Sequence, residues 1–233
     1  MPFETIFLDA GGVLVWPNWT RVRDALRAHS IEIDPGALAA ADPVVRKSLD
    51  DAGMIAAAAD QRRSWNYFEL VLTNAGVTLS PAAEAALASV HDYQRTSNIW
   101  EHVPDFVPPA LQTLRSRGHK LVVVSNSNGT VRESFRRLGL AGLVDLVVDS
   151  AEEGFEKPDR RLFDVALERA GARAETTLHA GDFYFIDVVG ARAAGLTPVL
   201  VDQGGLYPEA DCARIRSIAE LPDLIGRLSS RQA

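Results

Sequence analysis

The sequence predicts an α/β fold: a parallel sheet covered by helices on both faces, with an all-helical segment inserted near its start. Three observations predict it. Short apolar runs recur through the second half of the 233-residue chain, each followed by a longer helical stretch. Strands that alternate with helices in this way pair in parallel and are buried on both faces. One more run, Thr5-Ile6-Phe7-Leu8, stands alone near the N-terminus, and residues 16–98 between it and the others carry helical spacing with no strand signal.

Taken in order, the first run ends at Asp9 and is followed by Ala10-Gly11-Gly12-Val13-Leu14, a buried strand delivering a carboxylate to a glycine-rich turn. In the inserted segment, Thr20–His29 and Ser64–Asn74 have helical spacing, with Trp65, Phe68 and Leu72 on one face and Gly76 as the stop. Ala56–Ala59 is a strong helix-forming stretch, and Ser80-Pro81 starts a helix with serine as cap and proline in the first turn. From about Pro104 the alternation resumes. Lys120–Val124 reads as a strand, Thr130–Leu138 as a helix, Leu143–Val148 as a strand and Pro158–Ala170 as a helix. Thr177–Ala180 is a strand, Phe185–Ala194 a helix and Pro198–Val201 a last strand. The expected division is a Rossmann-like three-layer core made of residues 1–15 and 99–233, with a helical domain at 16–98. The connections fall near Val15–Asn18 and Thr96–Pro104.

Composition narrows the function. Hydrophobic residues make up 47% and charged residues 24%, which is globular and not disordered. A net charge of -7 argues against nucleic acid or an anionic membrane as partner. Cys212 is the one cysteine, so no internal disulfide forms. The N-terminus lacks a secretory pattern, and the apolar run Leu121–Val124 is far too short to span a bilayer. A soluble cytoplasmic protein is expected, as a monomer or homodimer.

Ligands of an open parallel sheet sit at the carboxyl ends of its strands. Asp9, Ser125 and Asp182 each follow a predicted strand, and Lys157 sits at a loop-to-helix junction that reaches the same edge. Each also has a local explanation. Asp9 suits a turn, Ser125, Asn126 and Asn128 suit helix caps, and Asp182 and Asp187 suit a cap and a surface charge. A lysine near a helix N-terminus, however, has the wrong sign for the helix dipole and points to a nearby anion or carboxylate. Acids gathered at strand ends repel one another unless a cation neutralises them, and hard oxygen ligands suit Mg²⁺.

These segments resemble, in order and spacing, the four motifs of the haloacid dehalogenase-like (HAD) hydrolase superfamily. Leu8-Asp9-Ala10-Gly11-Gly12-Val13-Leu14 is similar to its nucleophile loop, and Val122-Val123-Val124-Ser125-Asn126 to its second motif. Lys157-Pro158 with Phe163 resembles the lysine motif, and Gly181-Asp182 with Asp187, Gly190-Ala191 and Ala194-Gly195 the acidic motif. The helical segment resembles the cap of the subgroup whose insertion lies between the first two motifs. The resemblance implies Asp9 as a nucleophile that becomes an aspartyl phosphate. It implies Mg²⁺ held by Asp9, the Gly11 carbonyl and Asp182, with Asp187 binding directly or through water. It implies Ser125 and backbone amides around Asn126 and Gly12 on the transferring oxygens, and Lys157 offsetting charge on phosphate and Asp9.

Gly11 departs from the pattern, because family phosphatases carry there an aspartate that acts as general acid and base. Three readings stay open: a substrate with a good leaving group, an acid from the cap (Asp42, Asp50, Asp51 or His91), or a phosphate and metal binder with vestigial turnover. Dehalogenation of 2-haloacids is the enzymatic alternative, disfavoured by Asp182 and Asp187. A phosphonate-cleaving relative would use a cap lysine, and Lys47 is the one the cap contains. Trp16 and Trp19 form either an apolar lip or hinge packing, Trp65 reads as cap core, and Arg21, Arg46, Arg62 and Arg63 either grip an anionic substrate or are solvated. The expected substrate is a small phosphorylated molecule.

Overall fold

The computed structural model describes residues 3–51, 53 and 60–230, and the side chains of 60–65 lie outside that description. The expected helix at Ala56–Ala59 and the side chains of Arg62, Arg63 and Trp65 therefore lie outside the described residues. Two compact units are present: Met1–Trp16 with Val103–Ala233, and Pro17–His102.

The first unit is built on a six-stranded sheet of order β5-β4-β1-β6-β7-β8. Its strands are β1 (Thr5–Leu8), β4 (Lys120–Ser125), β5 (Leu146–Asp149), β6 (Thr177–Gly181), β7 (Thr197–Val201) and β8 (Ala213–Ile215). All five pairings are parallel. β4 shows why the run Leu-Val-Val-Val was legible as a central strand: Leu121 to Val124 are all fully buried. Helices α5 (Val107–Ser116) and α8 (Arg160–Ala170) both pack against this strand. Val122 and Val124 join Phe7, Leu162 and Phe163 in one apolar cluster. Fully burying each such side chain is worth about 1.5–3 kcal/mol.

Three details differ from the sequence reading. The strand expected at Leu143–Val148 begins at Leu146, because 141–143 is a short 3₁₀ turn. The helix expected over Phe185–Ala194 is a π-helical turn, Tyr184–Val188, followed by α9 (Val189–Ala193). β7 is not the last strand; Ala213–Ile215 adds a short edge, which no apolar run announces.

The second unit is helical: α1 (Trp19–Arg27), α2 (Pro35–Leu49), α3 (Asp60–Asn74) and α4 (Pro81–Ser97). α2 starts at the Asp34 cap, whose carboxylate accepts from the Gly36 N–H, with Pro35 in the first turn. α4 starts where Ser80-Pro81 indicates, with Ser80 Oγ accepting from the Ala83 N–H at 3.3 Å. Phe68 and Leu72 are buried on α3 as their spacing requires. Where the chain passes between the units it forms a two-stranded sheet of β2 (Trp16–Pro17) and β3 (Trp100–His102), so the reading that no strand begins at Trp16 is corrected.

Candidate active site

The register of the sheet sets the site. Leu8 is level with Val123 on one side and Ala180 on the other. Asp9, Ser125 and Asp182 consequently emerge at one carboxyl edge. The Asp9 amide donates to the Ala180 carbonyl at 2.9 Å, which holds the residue at the strand end. Its Oδ1 accepts from the Ala10 N–H at 2.8 Å.

The chain then turns tightly. Ala10 O accepts from the Leu14 and Val15 amides, and Gly11 bridges to Val15. Gly12 has φ 71°, where a side chain would be strained. Its amide donates to the Val15 carbonyl at 2.9 Å. Gly12 is therefore a turn residue whose amide is engaged within the turn.

Lys157 is brought in by Asn126. The Asn126 side chain accepts from the Lys157 N–H at 2.7 Å and donates to the Lys157 carbonyl at 2.9 Å. Both side-chain functions of Asn126 thus brace the lysine loop. The Lys157 side chain is fully buried, and its Nζ lies 2.9 Å from Asp9 Oδ1 and 2.7 Å from Asp187 Oδ1. Two carboxylates hold the ammonium's proton so firmly that its pKa rises despite burial.

Asp187 sits on the π-helical turn, an extra-wide turn that swings its carboxylate back under the end of β6. Oδ1 accepts from Lys157 and from His179 Nε2 at 2.9 Å, and Oδ2 accepts from the Phe183 N–H at 3.0 Å. Burial pushes its carboxyl up, but Lys157 and His179 together hold it far below the ordinary range. Gly181 makes room for it: a Cβ there would lie 2.1 Å from Asp187 Cγ. Gly190 is required for a similar reason, since a Cβ there would press to 2.9 Å on Phe163 and 3.0 Å on the Pro158 backbone.

Asp9 is the carboxylate that stays partly open, with 14% of its side chain exposed. Burial raises its pKa, and Lys157 opposes that shift. One oxygen each from Asp9, Asp182 and Asp187 lies within 4.8 Å of the others. Three carboxylates converging in this way suit a hard divalent cation, so the residues fit Mg²⁺.

Ser125 ends β4 and is buried beside this edge. The four strand-end and loop positions read from the sequence are therefore brought together. His179 was missed; its signal is an imidazole in the middle of the apolar run Thr177–Ala180.

Residues assigned to the helical unit fare differently. Asp42 is buried and accepts from Arg46 through both oxygens, and from the Tyr67 hydroxyl at 2.6 Å. Arg21 is bonded to Glu101 at 2.8 Å and lies over the Tyr93 ring. Asp50 is buried at the end of α2, and exposed Asp51 accepts from the Gly53 N–H. His91 is buried edge-on to Phe68, which pushes its pKa down to about 4. Trp16 and Trp19 are packed: Trp16 donates to Gln203 and meets the Phe106 edge, while Trp19 lies against Tyr67 and Phe68. Lys47 is half-buried on α2.

A family model describing haloacid dehalogenase-like hydrolases matches residues 3–195. The chain belongs to this family. The human haloacid dehalogenase-like hydrolase domain-containing protein 3 is 31% identical over 190 residues, covering 75% of this chain and 71% of the relative. A glyceraldehyde 3-phosphate phosphatase of Methanothermobacter thermautotrophicus is 41% identical over 100 residues, covering 42% of this chain and 44% of the relative. A ribulose-1,5-bisphosphate 5-phosphatase of Halopiger xanaduensis is 38% identical over 135 residues, covering 53% and 56%. The chain thus spans about half the length of these two phosphatases. The HAD-hydrolase YfnB of Bacillus subtilis, solved bound to magnesium, shares the fold at TM-score 0.70 and 20% identity, covering 97% of this chain and 99% of that one. An L-2-haloacid dehalogenase does so at TM-score 0.67 and 17% identity, covering 97% and 100%. Fold alone therefore does not separate phosphatase from dehalogenase within the HAD family. Among the described residues no helix is long and apolar enough to cross a membrane.

Proposed function

We propose that this HAD hydrolase is a Mg²⁺-dependent phosphatase acting on a small phosphorylated molecule through a phosphoryl group carried on Asp9, with the helical unit as its cap, working in the cytoplasm. The observation that carries the reading is the Lys157 ammonium bonded to both Asp9 and Asp187, with Asp182 completing a three-carboxylate cluster. Displacement of halide from a 2-haloacid breaks one carbon–halogen bond with the pair leaving on the halide and has no use for a cation-binding acidic cluster, whereas a transferring phosphoryl group needs its charge balanced.

In this reading Asp9 attacks phosphorus in line. The Asp9–phosphorus bond forms and the bond to the leaving oxygen breaks; water then cleaves the aspartyl phosphate and releases inorganic phosphate. Lys157 holds Asp9 ionised and oriented and offsets charge on the equatorial oxygens. The Ser125 hydroxyl donates to one of those oxygens. Asp9, Asp182 and Asp187, with the Gly11 carbonyl, would hold Mg²⁺, which supplies electrostatic stabilisation of the transferring group.

Gly11 offers no side chain to protonate a leaving group. The positive φ belongs to Gly12 and not to Gly11, so the backbone conformation at Gly11 does not demand glycine. This favours substrates whose leaving group departs as a stable anion, such as acyl or aryl phosphates. The test is a screen of alkyl, aryl and acyl phosphates and 2-haloacids, with and without Mg²⁺, on wild type, Asp9→Asn and Gly11→Asp. Phosphate release that needs Mg²⁺ and is lost in Asp9→Asn is expected, with Gly11→Asp raising alkyl more than aryl turnover. Halide release without Mg²⁺ would establish the dehalogenase instead.

A further inference from the structure

His179 lies in the centre of β6, level with Phe7 and Pro198. Its ring is fully buried and meets the Phe163 ring edge-on at 5.0 Å, within the face occupied by the apolar cluster of Phe7, Val122 and Val148. An apolar side chain would fill this place without cost, whereas a buried polar nitrogen with no partner costs about 1–3 kcal/mol. Such a nitrogen is present: Nδ1 is buried and has no hydrogen-bond partner, while Nε2 meets Asp187 Oδ1 at 2.9 Å. The two nitrogens thereby fix the tautomer. A proton on Nδ1 would have no acceptor and would leave two acceptors facing each other at Asp187, so the proton is on Nε2 and is donated to the carboxylate.

The consequence runs outward from the core. Asp187 is gripped on Oδ1 by His179 and on Oδ2 by the Phe183 N–H, and its Cγ fills the space that the missing side chain of Gly181 leaves. So fixed, its Oδ1 has one remaining lone pair, which receives Lys157. The ammonium is then held where its next proton meets Asp9 at 2.9 Å. We propose that His179 is a positioning residue of the reaction: an imidazole that orients Asp187 through its Nε2–H, so that Asp187 aims Lys157 at Asp9. The inference rests on the phosphatase reading for its effect on rate, but its geometry stands without it.

Two experiments keep these apart. Long-range ¹H–¹⁵N NMR of the intact protein should show a proton on His179 Nε2; an Nδ1–H tautomer with Nε2 bare overturns the proposal whatever the enzyme does. For the rate, His179→Leu removes the donor, whereas His179→Gln keeps an amide N–H near the Nε2 position. With p-nitrophenyl phosphate, His179→Leu should lower kcat about 10–100-fold with KM within about twofold, and His179→Gln should recover most of the loss. A folded His179→Leu with wild-type kcat overturns the inference, as does a folded His179→Gln no better than His179→Leu. If His179→Leu fails to fold, His179→Gln alone decides, retained kcat supporting the proposal and a loss of 10-fold or more overturning it. A wild-type protein with no phosphatase activity but the expected tautomer would count against the proposed function and leave the geometry intact.

Discussion

Asp42 in the helical unit and Asp187 in the α/β unit are both buried inside a cage of donors, and the two cages are put to different ends. In the helical unit, Asp42 takes Arg46 on both oxygens and the Tyr67 hydroxyl on one, while Arg46 lies over the Trp100 ring. In the α/β unit, Asp187 takes Lys157, His179 and the Phe183 amide. The guanidinium directs two parallel bonds to its carboxylate. The ammonium directs one to Asp187 and turns another to Asp9, whose side chain still meets solvent. A buried ion pair is weak evidence for either stability or function. It becomes a site when one of its charges is shared with a second group that a substrate can reach.

The sharpest way to break this comparison is to remove each cation's role in turn. Lys157→Met should cost twice over. It leaves Asp187 and Asp9 buried beside each other without compensation, a loss of about 3–5 kcal/mol in stability. It also removes charge stabilisation from the transferring group, lowering kcat about 10²–10³-fold. Urea unfolding and steady-state kinetics on the same preparation check both. A variant that loses stability but keeps its kcat would make Lys157 as purely structural as Arg46.

Asp42→Ala should cost once. Arg46 is left buried without its bidentate partner, and stability falls by about 3–5 kcal/mol. On the protein that remains folded, kcat should stay within about twofold, because Asp42 has both oxygens committed. Should the folded variant lose kcat tenfold or more, selectively for alkyl phosphates, Asp42 would be the acid that Gly11 lacks, and the two cages would belong to one mechanism.

The two cages were not equally legible in the sequence, for a physical reason. Asp9, Ser125 and Asp182 each end an apolar run, so the alternation of strands and helices alone sends them to one edge. Lys157 was visible because its charge has the wrong sign for the helix it precedes. What escaped depends on contacts that no local pattern encodes. The π-turn that swings Asp187 under Gly181 is set by tertiary packing, since the sequence from Phe185 to Ala194 is helical by spacing. The commitment of the Gly12 amide to Val15 depends on how the turn closes. The Asp42–Arg46 pair has helical spacing and could have been read, but Tyr67, 25 residues away, could not. β8 has only Ala-Arg-Ile to mark it, too short and too polar for a strand signal.

The two regions also differ in how they bury a histidine, and this gives the smallest expected effect. His179 is bonded to a carboxylate, whereas His91 faces the Phe68 ring, and Asp92 next to it only partly offsets the burial. Its pKa falls from 6.5 to about 4, so the unfolded chain takes up a proton that the folded one refuses. The contribution is fully present above pH 6.5 and is lost as pH falls toward 4. A tenfold change in proton affinity corresponds to about 1.4 kcal/mol in full; after allowance for solvent screening, about 1 kcal/mol should be lost between pH 7 and 5. His91→Leu removes the titrating group and fills the same apolar space. Urea unfolding of wild type and His91→Leu at both pH values should show the variant less acid-sensitive by that amount. Identical slopes would mean that the acid lability comes from groups other than His91, such as the carboxylates around Lys157, whose protonation removes its counter-charge.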